Sequence, residues 1–163
     1  MTDTRVDLAL SGSCVRVAQV TDTHLEERRG GTLLGMDTDA SLAHVLDLLR
    51  GPLRPDLLLA TGDLANHGAE AAYVRVRESF DALGLPWFWL PGNHDAGPLM
   101  HGVIGRGRPM IRCVCVGAWQ IVMLDSTVAG QVGGSLGAVE LALLDRLLAA
   151  EPARHALVCL HHQ

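Results

Sequence analysis

The chain has 163 residues, of which 48% are hydrophobic and 19% charged, and 13 Lys and Arg against 18 Asp and Glu give a net charge of −5. This composition predicts one globular domain spanning residues 1–163, and an acidic chain whose basic runs do not exceed Arg28-Arg29 argues against a nucleic-acid groove. No apolar run reaches the roughly 18 residues of a membrane span, and no signal-peptide pattern opens the chain, so we expect a cytoplasmic protein without a membrane partner.

Short apolar runs, typical of strands covered on both faces, alternate with helical patterns along the chain. The strands are predicted at residues 16–21, 57–61, 87–90, 111–116, 120–125 and 156–160. Apolar residues at helical spacing predict three helices. Their stripes are Leu42, Val45, Leu46 and Leu49; Tyr73, Val76, Phe80 and Leu83; and Leu141, Leu144 and Leu148. Gly51-Pro52, Gly84 and Pro152 mark their ends.

This order of elements predicts an α/β layered fold with a largely parallel sheet in its first half. Residues 111–125 instead favour a hairpin that turns at Gly117-Ala118, so we expect a mixed sheet. Residues 26–38 form the one irregular stretch, long enough to be a functional loop.

The four cysteines lie in apolar runs, where a free thiol packs like a small hydrophobic residue. Cys113 and Cys115 fall on one face of a predicted strand, which leaves open a metal or redox pair. Core packing is the favoured interpretation, because two cysteines without partners make at best half of a zinc site.

Polar residues follow four of the predicted strands directly. They are Asp22 and His24, Gly62 and Asp63, Asn93 with His94 and Asp95, and His161 with His162. Each pair or triplet alone is compatible with a helix cap or a turn. Ligands bind at the carboxyl ends of strands in open α/β sheets, so all four together predict one shared site.

The shared site offers carboxylate, amide and imidazole ligands and no thiolate, which suits Mn, Fe or Zn. Asp63 could use both oxygens to bridge two metal ions about 3.5 to 4 Å apart. A hydroxide between two such ions is a nucleophile at neutral pH.

The motifs Asp22-x-His24, Gly62-Asp63, Gly92 to Asp95 and His161-His162 resemble those of the calcineurin-like metallophosphoesterases. The segments QVTDTHLEE, LLGMDTDAS, LLLATGDLA, WLPGNHD and IVMLDS further resemble the bacterial class III 3′,5′-cyclic AMP phosphodiesterases. The resemblance runs from about residue 16 to residue 163. It implies a four-layer αββα sandwich and a two-metal site.

The resemblance also implies individual roles. Asp22 and His24 would hold the first metal, Asp63 would bridge, and Asn93 and His161 would hold the second. His94 would touch the phosphate and protonate the leaving oxygen as a general acid. Asp95 would orient neighbouring groups. His162 remains an alternative to His161 as the ligand.

The function implied is hydrolysis of 3′,5′-cyclic AMP to 5′-AMP by a hydroxide that bridges two divalent ions, with Fe or Mn favoured and Zn an alternative. Two other functions stay open, namely a phosphodiesterase for another small phosphodiester of the glycerophosphodiester type, and a truncated remnant without catalysis. The loop GGTLLGMD and the turn NHGAE could line the substrate pocket, where His67 is either a substrate contact or a solvated turn residue.

One part of the family pattern is absent from the sequence. The family continues past the His doublet to a Gly-His-x-His motif that supplies further ligands, and this sequence contains no such motif. We therefore expect a domain incomplete at its C-terminal side, with weak metal binding and poor turnover. An open apolar sheet face would also favour self-association as a homodimer.

Overall fold

The computed structural model describes residues 5–10, 14–52, 54–104 and 110–163, with the backbone alone for Ile104. The helices in these ranges are α1 (Thr38–Arg50), α2 (Glu70–Asp81), α3 (Gly97–Ile104) and α4 (Ala138–Ala150). The strands are β1 (Arg5–Leu8), β2 (Val17–Val20), β3 (Thr32–Leu33), β4 (Met36–Asp37), β5 (Leu57–Thr61), β6 (Trp87–Leu90), β7 (Cys113–Val116), β8 (Trp119–Met123) and β9 (His155–Cys159).

The longer strands form two separate sheets. The first sheet has the order β2-β5-β6 and is parallel throughout. The second has the order β1-β7-β8-β9, with β7 and β8 antiparallel and the other neighbours parallel. The parallel first half and the β7-β8 hairpin are therefore confirmed, but the mixed character belongs to the second sheet alone.

Strand β5 shows how the two sheets share the core. Side chains alternate between the two faces of a strand. Leu57 and Leu59 pack between the sheets, whereas Leu58 and Ala60 face the cluster that contains Tyr73 and Phe80 of α2. A third cluster joins Cys113, Cys115 and Val122 of the second sheet to Leu147 of α4. The layers are therefore helices, sheet, sheet and helix, as the resemblance implies.

The sequence patterns missed four elements. Strand β1 has the sequence RVDL, in which charged residues alternate with apolar ones, and it lies at a sheet edge. Strands β3 and β4 form a two-stranded hairpin inside the stretch expected to be irregular. Helix α3 begins at Gly97-Pro98, where turn chemistry hides the helical pattern.

Three apolar positions in the predicted helices also differ from expectation. Val45 is 41% exposed and Leu141 is 47% exposed, so these members of the predicted stripes lie outside the core. Leu147 is buried in α4 instead. Helix α2 ends at Asp81, and Leu83 is buried beyond it.

The second sheet ends in an edge formed by β9, which pairs only with β8 among the described strands. Leu157 and Val158 point to opposite faces of β9, yet both remain more than a third exposed. The expectation of self-association rests on an open apolar sheet face and stays a prediction. None of the described helices is long and apolar enough to cross a lipid bilayer.

Cys113 and Cys115 are buried free thiols with their Sγ atoms 3.9 Å apart, far longer than a disulfide bond of about 2 Å. Burial, with a smaller contribution from Cys115, raises the pKa of Cys113 to about 12. Neither thiol joins a group of described residues spaced to hold a metal ion. The geometry therefore agrees with core packing.

Thiol labelling of the folded chain should separate these cysteines. Cys14 is exposed and should react in a single fast phase. Cys113 should react at least about 100-fold more slowly, because each unit of pKa changes the thiolate fraction tenfold and burial also blocks the reagent. The Cys14→Ser variant should lack the fast phase, and fast labelling of Cys113 would contradict the packing.

Candidate metal centre

The segments that follow β2 and β5 stay hydrogen-bonded beyond the ends of both strands. Asp22 N donates to Gly62 O at 3.0 Å, and His24 N donates to Asp63 O at 2.9 Å. These bonds extend the parallel pairing of the sheet into the turns. The side chains of Asp22, His24 and Asp63 are therefore held at one corner of the first sheet.

Three residues of this corner have a left-handed backbone. The φ angles are 56° at Asp22, 42° at His24 and 51° at Asp63. Such conformations cost about 1 to 3 kcal/mol each in non-glycine residues and cluster at functional sites. Asp and His tolerate them better than most residues.

Asp63 is the buried centre of the arrangement, with 6% of its side chain exposed. Its Oδ1 accepts from His94 N at 2.9 Å, which ties the turn after β6 to the turn after β5. Asn93 lies half-buried in the same turn as His94. Two turns of the first sheet therefore meet at one carboxylate.

His161 reaches the same carboxylate from the second sheet. Its Nδ1 donates to Thr61 O at 2.8 Å, which leaves the lone pair on Nε2, and Nε2 lies 3.4 Å from Asp63 Oδ2. A β-carbon at Gly62 would lie 2.5 Å from His161 Nδ1, so position 62 must be glycine for the ring to fit.

His162 is engaged elsewhere. Its Nδ1 lies 2.8 Å from Ser126 Oγ, and its Nε2 donates to Val132 O at 3.1 Å. Both ring nitrogens of His162 therefore have protein partners. Of the two histidines, only His161 faces Asp63 with a ring nitrogen that has no hydrogen-bond partner among the described residues. The sequence could not separate the two, because the difference lies in these contacts.

The distances between the imidazole nitrogens and the carboxylate oxygens suit ligands that share a cation better than they suit hydrogen bonds. His24 Nε2 lies 3.7 Å from Asp63 Oδ2 and 3.8 Å from Asp22 Oδ1, beyond hydrogen-bond range. Two ligands each about 2.1 Å from one ion at 90° to 110° would lie about 3.0 to 3.4 Å apart, so a small inward movement brings these atoms to a metal.

Two overlapping groups of side chains have ligand atoms within 4.8 Å of one another. One comprises His24, Asp63 and His94, and the other comprises Asp22, Asp63 and His161. Asp63 belongs to both groups. The residues present thus fit two neighbouring divalent ions that share one carboxylate.

His94 lies at the exposed side of this centre. Its ring meets that of His24 edge to face, with centroids 4.9 Å apart. Its Nδ1 donates to Asn66 O at 2.7 Å, so its lone pair is on Nε2. Spacing alone would admit His94 as a ligand, whereas the resemblance assigns it to the phosphate.

Asp95 orients backbone groups around the centre. Its carboxylate accepts from the amides of Leu64, Ala65 and Gly92 and from the Tyr73 hydroxyl, at 2.9 to 3.2 Å. Burial raises the pKa of this carboxyl, although the four donors act in the opposite direction. Helical spacing predicted Tyr73 only as a core residue, and it gave no signal for the role of the hydroxyl.

Outside the centre, the two segments expected to line the pocket differ. Leu34, in the loop GGTLLGMD, is fully exposed at the tip of the β3-β4 hairpin. His67 is also exposed, with Nε2 3.3 Å from Asn66 Nδ2. Asn66, in contrast, is buried and contacts His94 through its carbonyl oxygen.

The chain is similar to known proteins over most of its length. The family model described as calcineurin-like phosphoesterase matches residues 15–160. The chain is 42% identical over 159 residues to the 3′,5′-cyclic adenosine monophosphate phosphodiesterase CpdA of Escherichia coli K12, covering 95% of this chain and 58% of that protein. It is 38% identical over 152 residues to the enzyme of the same name from Haemophilus influenzae, covering 91% and 55%.

A relative with lower identity is named for two cyclic nucleotides. It is a cAMP/cGMP dual specificity phosphodiesterase of Mycobacterium tuberculosis, 33% identical over 152 residues, covering 88% of this chain and 48% of that protein. The chain thus spans about half the length of the curated relatives that it matches. On the match over residues 15–160 and the identities to these relatives, the chain belongs to the calcineurin-like phosphoesterase family.

Proposed function

We propose that this chain contributes the central ligands of a two-metal phosphodiesterase site that hydrolyses 3′,5′-cyclic AMP to 5′-AMP. The observation that supports it most strongly is the buried carboxylate of Asp63, which belongs to both groups of candidate ligands. The names of relatives at 38% to 42% identity point to the same substrate.

Under this proposal, and as the resemblance implies, Asp22 and His24 would hold one ion, Asn93 and His161 the other, and Asp63 would be shared. Spacing alone instead groups Asp22 with His161 and His24 with His94, so the assignment of ligands to each ion rests on the resemblance. Such ions, when bound, polarise the phosphate and lower the pKa of water enough to supply a nucleophile. Imidazole, amide and carboxylate ligands suit Fe, Mn or Zn, and we favour Fe or Mn. The chain's net charge of −5 makes the cations necessary for an anionic substrate to approach.

His94 is proposed as the general acid. Because its Nδ1–H is engaged by Asn66 O, Nε2 is the atom that would carry a proton to the leaving 3′ oxygen. The chain's own contribution is thus to hold the ring in one tautomer beside the phosphate position.

The setting of the enzyme is part of the proposal. All four cysteines are free thiols, which persist in reducing compartments, so we propose a cytoplasmic location. The proposed partners are a cyclic nucleotide and a second copy of the chain, with neither nucleic acid nor membrane.

The direct test is metal-dependent release of 5′-AMP. Chain freed of metal by a chelator should be inactive and should regain hydrolysis of cyclic AMP on addition of Mn²⁺ or Fe²⁺. A glycerophosphodiester serves as the competing substrate. Faster turnover of that ester would contradict the proposed substrate, and metal binding without turnover of either ester would contradict the proposed reaction.

A further inference from the structure

We propose that Glu26 is a positioning residue that acts through Asn66 to hold the imidazole of His94. The proposal rests on the proposed function of His94 as the general acid. Glu26 lies in the segment QVTDTHLEE, one residue beyond Leu25, but the sequence assigned it no role. Its position in the contact chain to His94 distinguishes it from the other acidic residues of this segment.

Three hydrogen bonds of 3.0 Å or shorter fix Asn66, beside a longer contact from its Nδ2 to His67 Nε2 at 3.3 Å. Its side-chain Nδ2 donates to Glu26 Oε1 at 2.7 Å, its backbone N donates to Leu25 O at 3.0 Å, and its carbonyl O accepts from His94 Nδ1 at 2.7 Å. The residue is 7% exposed. Glu26 therefore makes the shorter of the two described polar contacts of the Asn66 side chain.

Glu26 is itself held from two sides. Arg75 of α2 donates to Glu26 O and, at 2.9 Å, to Glu27 O, while Asp39 pairs with Arg75 at 2.9 Å. Gly31 packs against the stem of the side chain, because a β-carbon there would lie 2.6 Å from Glu26 Cγ. The carboxylate is thus pre-positioned before Asn66 meets it.

The consequence for His94 follows from tautomerism. An imidazole whose Nδ1–H is held by a carbonyl keeps its lone pair on Nε2 and loses its freedom to rotate. Without the Glu26 acceptor, the side-chain amide of the buried Asn66 would keep only its longer contact to His67, and the residue would turn to find another acceptor. The acceptor for His94 would move with it.

Glu26 does not act as a further metal ligand. Its Oε1 is taken by Asn66, and it is in neither of the groups of described residues spaced to hold an ion. The contact chain points instead to an effect on proton transfer, which can be measured separately from metal binding.

The first test is the ring tautomer of His94 in the metal-free chain. Nitrogen-15 correlation spectra under mildly alkaline conditions should show the Nδ1–H form, assigned by its loss in His94→Gln. Glu26→Ala should shift the signal to the Nε2–H form or to an average, whereas Glu26→Gln, which keeps an acceptor oxygen, should retain it. An unchanged signal in Glu26→Ala, or equal loss in both variants, overturns the proposal.

The second test uses leaving groups of different basicity. Glu26→Ala should lower kcat for cyclic AMP by about 10 to 100-fold at constant KM, because the alkoxide leaving group needs a proton. The loss on bis(p-nitrophenyl) phosphate should stay within about threefold, since nitrophenolate leaves without one. Glu26→Gln should resemble the wild type on both esters.

The outcomes separate the two proposals. Equal loss on both esters in Glu26→Ala indicates a purely structural residue and overturns the positioning role. If the wild-type chain with metal hydrolyses neither ester, the proposed function fails, and the tautomer spectra still decide whether Glu26 holds His94.

Discussion

Replacing Asp63 with asparagine should lower metal-dependent hydrolysis of cyclic AMP by more than about 100-fold. Loss of groups that only support ligands typically costs about 10 to 100-fold, and Asp63 is itself the residue shared by both candidate metal groups. The variant loses the negative charge and one of the two oxygens, so it can no longer bridge two cations. Metal stoichiometry should fall with activity.

The asparagine variant should keep its fold, which makes the loss interpretable. Asn tolerates the left-handed backbone that Asp63 adopts at φ 51°, and its Oδ1 can still accept from His94 N. Asp145→Asn is the matched control, because it removes the same charge from an exposed position on α4. Calorimetric metal titration and circular dichroism measure the two properties. Normal metal stoichiometry in Asp63→Asn would rule out the bridging role.

The sequence predicts the first sheet and the polar residues that follow its strands, because an apolar run and the polar residues directly after it reinforce each other as signals. Residues 57–60 form an uninterrupted apolar run buried on both faces, and Thr61 and Gly62-Asp63 follow it directly. A buried parallel strand must read this way, so the position of Asp63 follows from the pattern. The same logic applies to Trp87–Leu90 and the turn after it.

The sequence could not predict the contacts that decide which polar residues face the metal centre. Whether His161 or His162 faces Asp63 depends on Thr61 O and Ser126, which are distant in the chain. The role of Glu26 depends on a buried amide 40 residues away. No periodicity encodes such pairs, because each is set by how two turns meet after the sheets have packed.

Strand β1 marks a second limit. Its residues Arg5 and Asp7 pair with each other and are partly exposed, so the strand has no continuous apolar run. Arg5 also pairs with Glu151, at the end of α4, at 2.6 Å. Edge strands often carry charged side chains, so a pattern of continuous apolar residues does not detect them.

Replacing Gly92 with alanine should damage the fold and the centre together. A β-carbon at position 92 would lie 2.5 Å from the backbone N of Asp63 and under 3.0 Å from its Oδ1. The backbone atom cannot swing aside as a flexible side chain would, so the two turns must separate. We expect a loss of about 1 to 3 kcal/mol in the free energy of unfolding from overpacking.

The separation should also remove function, because Gly92 N donates to Asp95 Oδ2 at 2.9 Å and His94 N donates to Asp63 Oδ1. Gly102→Ala in α3 is the matched control, since a β-carbon there meets nothing within 4 Å. It should leave metal binding unchanged and stabilise the helix by about 0.5 to 1 kcal/mol. Urea unfolding and metal titration of both variants provide the comparison. If Gly92→Ala unfolds like the wild type and binds metal equally well, the close approach of the two turns cannot be what sets the position of Asp63.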